Sequence, residues 1–420
     1  MKIAIFTDTF YPMVNGVVTA ILNTARPLAD RGHRIYIVTP KINKEDDFHY
    51  PGITIIRLSS LPATFYEDFR WTTVRSTSTY RKLRKEGVQL VHFMTPFTAS
   101  YLGIKIGRLL KVPVIGTFHT FISDPAYYEH MFNKIWKPTE PVVWKYTNFY
   151  YNAADLVTAP SPSTLKSMHE NGCHVEGKVI SNGISPDIFD NTNWKEFKKT
   201  HNLGEKVILY FGRLAQEKNL LTVVRGFAKA WESDSELQLL LIGDGPQRKD
   251  VENIIKNQPY ESNVMMLGSI PYSTLIKSGV FKAAKLFVSA SKTENQPMTI
   301  LESQVNGLVC IGANARGIPD LIEDGVNGLL FHPDKPEELA DRITTITSNP
   351  DLYEKFKANT ITHIKDHTVD AVSKTWEDLY SKMIEDYANG AYPIKDYLHL
   401  KKILSIAKDF KFDFSKKKKD

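Results

Sequence analysis

At 420 residues the chain is too long for one ordinary hydrophobic core, and its length predicts about two domains. With 42% hydrophobic and 24% charged residues it has the balance of a soluble globular protein, and nothing in it approaches the ~20 apolar residues of a membrane span. Its two cysteines, Cys173 and Cys310, form neither a disulfide framework nor a metal-ligand cluster, which fits a reducing cytoplasm.

The net charge of +6 is unevenly placed: residues 1–200 hold 24 Lys and Arg against 17 Asp and Glu, and the remainder holds 29 against 30. A basic N-terminal half attracts nucleic acid, an anionic membrane surface or a phosphorylated substrate, and charge alone does not choose among them. The opening MKIAIFT reads as a first strand and lacks the long apolar segment of a signal peptide. After the loop DTFYPMVNG, apolar Val17, Ala20, Ile21, Leu28 and Ala29 predict a helix from Val17 to Asp30. Gly16 stands just ahead of it, where backbone N–H groups and the helix dipole favour a phosphate; a lone glycine there serves equally as a tight turn. No G-x-G-x-x-G occurs, so the standard dinucleotide fingerprint is absent.

Short apolar runs follow at 35–40, 53–58, 88–94, 112–119 and 156–161, with helical stretches between most of them. Strands alternating with helices predict a parallel sheet covered on both faces. His119 ends one of these strands, at the edge where such sheets bind ligands, and a single His there is either structural or part of a site. A basic run with interleaved aromatics, including Arg70, Trp71 and Arg75, lies between two of the strands. Residues 127–151 are dense in aromatics, among them Tyr127, Tyr128, Trp136, Trp144, Phe149, Tyr150 and Tyr151. Basic and aromatic segments suit a membrane interface; the other reading is a solvated helix beside an ordinary aromatic core.

The polar stretch 191–205 reads as an interdomain linker, dividing an N-terminal domain at 1–190 from a C-terminal one at 206–390. A second strand series then runs through KVILYFGRL, LQLLLIGDGP, NVMMLGSIP, KLFVSAS and LVCIGAN. From Lys335 to about Asn389 the pattern is helical, and the last of these helices can cross back to the N-terminal domain. Residues 391–420 form a basic tail with a run of four lysines just before its last residue, read as a solubilising tail or a membrane-surface segment.

Two carboxylates in the second series, Glu294 and Glu302, have seven residues between them. Glu294 follows an apolar strand, and Pro297 is expected as the first residue of the helix that carries Glu302. Both would face the crevice at the carboxyl ends of the strands; the plainer reading is a loop acid plus a solvated helix acid.

FGRLAQEKN (211–219), LIGDGP, TENQPMTILE and GIPDLIEDGVNGLLF (317–331), in that order, resemble the signatures of the retaining glycosyltransferases of family four, which have the GT-B fold. The resemblance covers the chain to about residue 390. It implies an α/β protein with two Rossmann-like domains facing across a cleft. It also implies a hexosyltransferase that uses a nucleotide sugar and needs neither metal nor cofactor.

Matched residue by residue, Arg213 and Lys218 correspond to the cations on the donor diphosphate, and Gly16 to the glycine facing it. Glu294 corresponds to the acid gripping donor-sugar hydroxyls, Glu302 to the ribose acid, and His119 to the active-site histidine. Asn295 and Gln296 stand where many relatives have G-F, in a loop that contacts the donor, and no proline follows Gly307 where the family commonly has one. This polar loop, the opening FTDTFYPMVNGVVTAI and GTFHT are similar to the diacylglycerol glycosyltransferase branch.

The resulting expectation is glucose transfer from UDP-glucose to diacylglycerol, by a cytoplasmic enzyme peripheral on the inner face of the cell membrane. In that reading Arg70, Trp71, Arg75, Tyr127, Tyr128 and Trp136 meet an anionic membrane or the lipid acceptor, and nucleic acid is not a partner. UDP-galactose or GDP-mannose as donor, phosphatidylinositol or a soluble sugar as acceptor, and an inactive nucleotide-binding partner subunit are the alternatives.

Overall fold

A computed structural model of the chain describes residues 1–13, 15–42, 48–62, 70–73, 76–120, 139–393 and 395. These divide into two compact units, Met1–Gly183 together with residues 369–395, and Ile184–Thr368.

The first unit contains β1 (Lys2–Phe6), β2 (Arg34–Pro40), β3 (Ile53–Leu58), β4 (Ser60–Pro62), β5 (Arg70–Thr72), β6 (Leu90–Phe93), β7 (Val114–Thr117), β8 (Leu156–Ala159) and β9 (Gly177–Val179). Seven of them pair in parallel in the order β3-β2-β1-β6-β7-β8-β9, while β4 and β5 form a separate antiparallel ribbon. Alternation along β1 shows why the four residues after Lys2 are all apolar. Ile3 and Ile5 pack with Val18, Ile21, Ala25 and Leu28 of the helix Gly16–Asp30, and Ala4 and Phe6 point the other way, into the layer holding Leu102 and Ile106. A strand covered on both faces has no polar side. Each fully buried Ile or Phe in it contributes roughly 1.5–3 kcal/mol.

The helix Val369–Ala388 completes the first of these layers with Trp376, Leu379, Tyr380 and Met383. Those residues recur at helical spacing on one face, so the last helix fills the core of the first unit and not that of the second. The division accordingly falls at Ile184 and Thr368, in place of the expected 191 and 390.

The stretch 191–205 is also corrected, because it holds the helix Trp194–Thr200 and belongs to the second unit. Its polar composition conceals an anchor. Phe197 and Leu203 pack on the second core, and the ammonium groups of Lys195, Lys198 and Lys282 lie 5.5–5.7 Å from the Trp194 ring.

The second unit contains β10 (Val207–Phe211), β11 (Gln238–Ile242), β12 (Val264–Gly268), β13 (Leu286–Ser289), β14 (Val309–Ala313) and β15 (Gly328–Phe331). All pair in parallel, in the order β12-β11-β10-β13-β14-β15. Among the described residues, no helix is long and apolar enough to cross a membrane. Residues 396–420, most of the basic tail, lie outside the described residues.

One buried polar chain joins the last helix to the first sheet. His92 on β6 is fully buried, with Nδ1 2.7 Å from the Tyr380 hydroxyl and Nε2 2.6 Å from Thr117 Oγ1. Burial drives its imidazole down to about 3, against an unfolded value near 6.5. Below about pH 6.5 the unfolded chain binds a proton that the folded chain refuses until about pH 3. His92 therefore leaves stability intact above that window and removes up to about 1.4 kcal/mol per pH unit as the pH falls through it. Urea unfolding at pH 7.5 and 4.5 checks this: His92→Gln should lose less stability on acidification than the parent. Equal losses would refute the assignment.

Candidate active site

In the second sheet the chain passes from β10 outward to β11 and β12, then returns to place β13 on the other side of β10. The loops leaving β10 and β13 therefore lie side by side at the topological switch point, where open parallel sheets bind ligands. Arg213 and Lys218 follow β10, and Glu294 follows β13.

Backbone contacts join the two loops. The carbonyl of Glu217 accepts from Lys292 N and from Ser291 Oγ, each at 3.2 Å. The Lys218 ammonium donates to the Glu294 carboxylate. Arg213 is exposed and pairs with no carboxylate among the described residues, while its carbonyl accepts from the Tyr210 hydroxyl at 2.9 Å. The turn thus has its backbone anchored and its guanidinium unspent.

Two glycines make this arrangement possible. A Cβ on Gly243, in LIGDGP, would stand 1.8 Å from the Gly212 carbonyl oxygen, and Gly243 has φ +141°. Bare backbone there lets the turn after β11 brace the Arg213 turn, with Leu214 N donating to Asp244 O at 2.9 Å. A Cβ on Gly317 would stand 1.7 Å from the carbonyl oxygen of Asn295, and Gly317 N donates to Glu294 O at 2.9 Å. The Glu294 loop therefore rests on the backbone of residue 317. Asn295 and Gln296 are buried within that loop.

Pro297 is the N-cap of the helix Met298–Val305, one place before its expected position, because its ψ of 116° is extended rather than helical. Glu302 lies inside this helix and is buried. Loss of water raises its carboxyl to about 7, opposed by a hydrogen bond from the Tyr272 hydroxyl at 2.9 Å. The plainer reading of Glu302 as a solvated helix acid does not hold. Sequence reasoning passed over Tyr272, which lies in the short helix Tyr272–Leu275 and carries no motif.

In the first unit Gly16 opens the helix Gly16–Asp30, and Asn15 caps it by accepting from Val18 N at 3.1 Å. Among the described residues a Cβ on Gly16 would meet nothing within 4 Å, so none of them requires glycine there. His119 lies two residues beyond β7, held near neutral form by burial that lowers its imidazole to about 4. Its Nε2 is enclosed and makes no hydrogen bond among the described residues.

A second buried carboxylate escaped notice in the sequence. Asp8, past the end of β1, accepts from Ala99 N and Thr95 Oγ1, each at 2.8 Å, and burial lifts it to about 6. It caps the helix Thr98–Leu110, whose own N-cap, Phe97, offers no side-chain acceptor.

The basic and aromatic segments separate into different roles. On the ribbon, Leu61 stands directly opposite Trp71, both exposed, and Arg70 Nε donates to Ser60 Oγ at 2.8 Å. Trp144, Phe149, Tyr150 and Tyr151 of the helix Glu140–Tyr151 are core residues instead. Arg75, Tyr127, Tyr128 and Trp136 lie outside the described residues.

Known proteins share this construction. Residues 14–188 match the family described as "Glycosyltransferase Family 4" and residues 192–363 that described as "Glycosyl transferases group 1". The chain is 30% identical over 364 residues to the alpha-monoglucosyldiacylglycerol synthase of Streptococcus pneumoniae, covering 84% of this chain and 80% of that one. The chain belongs to the family-four glycosyltransferases. It is 26% identical to the protein of the same name from Acholeplasma laidlawii, over 92% of this chain and 98% of that one. Among solved structures, Anabaena HepE in complex with UDP-glucose aligns with TM-score 0.71 at 20% identity, covering 91% of this chain and all of that one. That last likeness concerns the fold: this glycosyltransferase carries the two parallel-sheet units of GT-B proteins.

Proposed function

We propose that this glycosyltransferase moves glucose from UDP-glucose to the free hydroxyl of diacylglycerol, with retention at the anomeric carbon, at a membrane surface. The observation that carries the reading is the 30% identity to a monoglucosyldiacylglycerol synthase over most of both chains. The residues suit the chemistry. The acceptor oxygen attacks the anomeric carbon from the face that UDP leaves, the sugar–phosphate bond breaks with its electron pair on the phosphate oxygen, and the acceptor proton passes to that phosphate. No protein nucleophile is required. Negative charge grows on the diphosphate as the bond breaks, and fixed cations at Arg213 and Lys218 stabilise it more in the transition state than in the ground state.

Glu294, oriented by Lys218 and by the backbone of Gly317, is assigned to the sugar hydroxyls, and Glu302 to the ribose. Gly16 leaves room at a helix N-terminus for the diphosphate, and His119, two residues beyond β7, is assigned to the donor-sugar side of the site. Neither metal nor cofactor has a part in this scheme. On the ribbon, Trp71 and Leu61 offer apolar surface beside Arg70, which suits an anionic, lipid-bearing interface.

A donor panel on purified protein tests the proposal. UDP-glucose, UDP-galactose and GDP-mannose are each offered with diacylglycerol in mixed micelles. The expected result is label entering the lipid phase from UDP-glucose well above the other two. Label that stays water-soluble, with only slow donor hydrolysis, would retain the transferase and reject the lipid acceptor.

A further inference from the structure

We propose that Tyr272 is a positioning residue for nucleotide binding: its hydroxyl holds one oxygen of Glu302 and leaves the other turned toward the ribose hydroxyls of the donor. The inference rests on the assignment of Glu302 to the ribose. It begins from an unusual carboxylate. Glu302 is only 6% exposed, yet among the described residues its side chain receives a single hydrogen bond, from Tyr272 at 2.9 Å. A carboxylate has about four acceptor sites, and a buried one with most of them empty is costly. Its second oxygen makes no hydrogen bond among the described residues and is not enclosed by them, so it reaches open space. An acceptor that is buried, under-used and open on one side suits a ligand with two adjacent hydroxyls.

Tyr272 comes from a different element, thirty residues earlier in the chain, and is 37% exposed. Of the elements packed on the helix Met298–Val305, namely β13, β14, the helix Pro350–His363 and the turn Ile364–His367, none brings a charged group that shifts Glu302. The phenol is thus the one titratable neighbour acting on it among the described residues, and it favours the ionised form against burial. An ionised carboxylate accepts from both ribose hydroxyls, whereas a protonated one must spend an oxygen as donor. Tyr272 thereby keeps Glu302 in the binding form at a pH where burial alone would neutralise it.

The test is UDP affinity against pH, by calorimetry between pH 6 and 8.5, for the parent, Tyr272→Phe and Glu302→Gln. UDP has its own phosphate titration in this range, and Glu302→Gln supplies that background. Relative to it, the parent should lose about tenfold in affinity from pH 8 to pH 6. In Tyr272→Phe the onset of that loss should move up by about one pH unit, the worth of one hydrogen bond to a charged group. A purely structural role would weaken binding equally at every pH. A Tyr272→Phe profile parallel to the parent, with the Glu302 dependence intact, overturns this proposal alone. Parent and Glu302→Gln profiles that coincide overturn the ribose assignment beneath it. Unchanged thermal unfolding of Tyr272→Phe confirms that the comparison is between folded proteins.

Discussion

Replacing Arg213 or Lys218 with Ala should lower turnover by about 10²–10³-fold while leaving the fold intact, the loss expected when one preorganised donor is removed from a developing charge. The two side chains contribute little to stability for different reasons. Arg213 is exposed and makes no ion pair among the described residues, so its removal uncovers nothing. Lys218 pairs with Glu294 on loops whose carboxylate keeps 20% of its side-chain surface in water, which limits the cost of leaving it alone. Both turns are held by backbone bonds that survive the substitutions, including Tyr210 to Arg213 O and Lys292 N to Glu217 O. Steady-state transfer from UDP-glucose, measured beside thermal unfolding, separates the two effects. Arg213→Lys should recover part of the loss, because charge is retained and the forked geometry is not. Near-normal turnover in either Ala variant would reject the diphosphate assignment.

Gly317→Ala should reduce activity by about 10²-fold without altering any side chain assigned to the donor, a penalty typical of a misplacement of about 1 Å in a reacting constellation. The added methyl would begin 1.7 Å from the Asn295 carbonyl oxygen, a distance no pair of heavy atoms tolerates without a covalent bond. Because the obstacle is backbone, no side chain can rotate away, and the Glu294–Gln296 loop must move. It moves off the bond from Gly317 N to Glu294 O and out of register with Lys218. Turnover should therefore fall much further than stability, with Glu294→Gln giving a comparable loss. An Ala variant with parental turnover would show that the loop position is irrelevant to transfer.

Much of this was open to reading from the chain alone. The runs Val207–Phe211, LLLI and LFV are apolar along their whole length because each strand is covered on both faces, and that requirement is local. Spacing alone singled out Glu294 and Glu302, one carboxylate after a strand and one in the next helix, whereas Arg213 and Lys218 were assigned through the resemblance of FGRLAQEKN to the family-four signature. What escaped was made by contacts between distant segments. Residues 191–205 read as a linker because their apolar anchors, Trp194, Phe197 and Leu203, are scattered among polar residues, and only packing distinguishes an anchor from an isolated aromatic. The aromatic density around Trp144 and Tyr150 suits either an interface or a core, and only the packing of their helix on the first core decides for the core.

By itself the sequence determined two parallel-sheet units, the order of their strands along the chain and the residue types at the strand ends, since these follow from periodicity and charge within short windows. Tertiary structure alone decided that the final helix belongs with the first unit. It also joined Lys218 to Glu294 across 76 residues and left Glu302 buried with Tyr272 as partner. Strand order in space sets which loops become neighbours, and burial sets what each ionisable group becomes; neither is a property of any local stretch of chain.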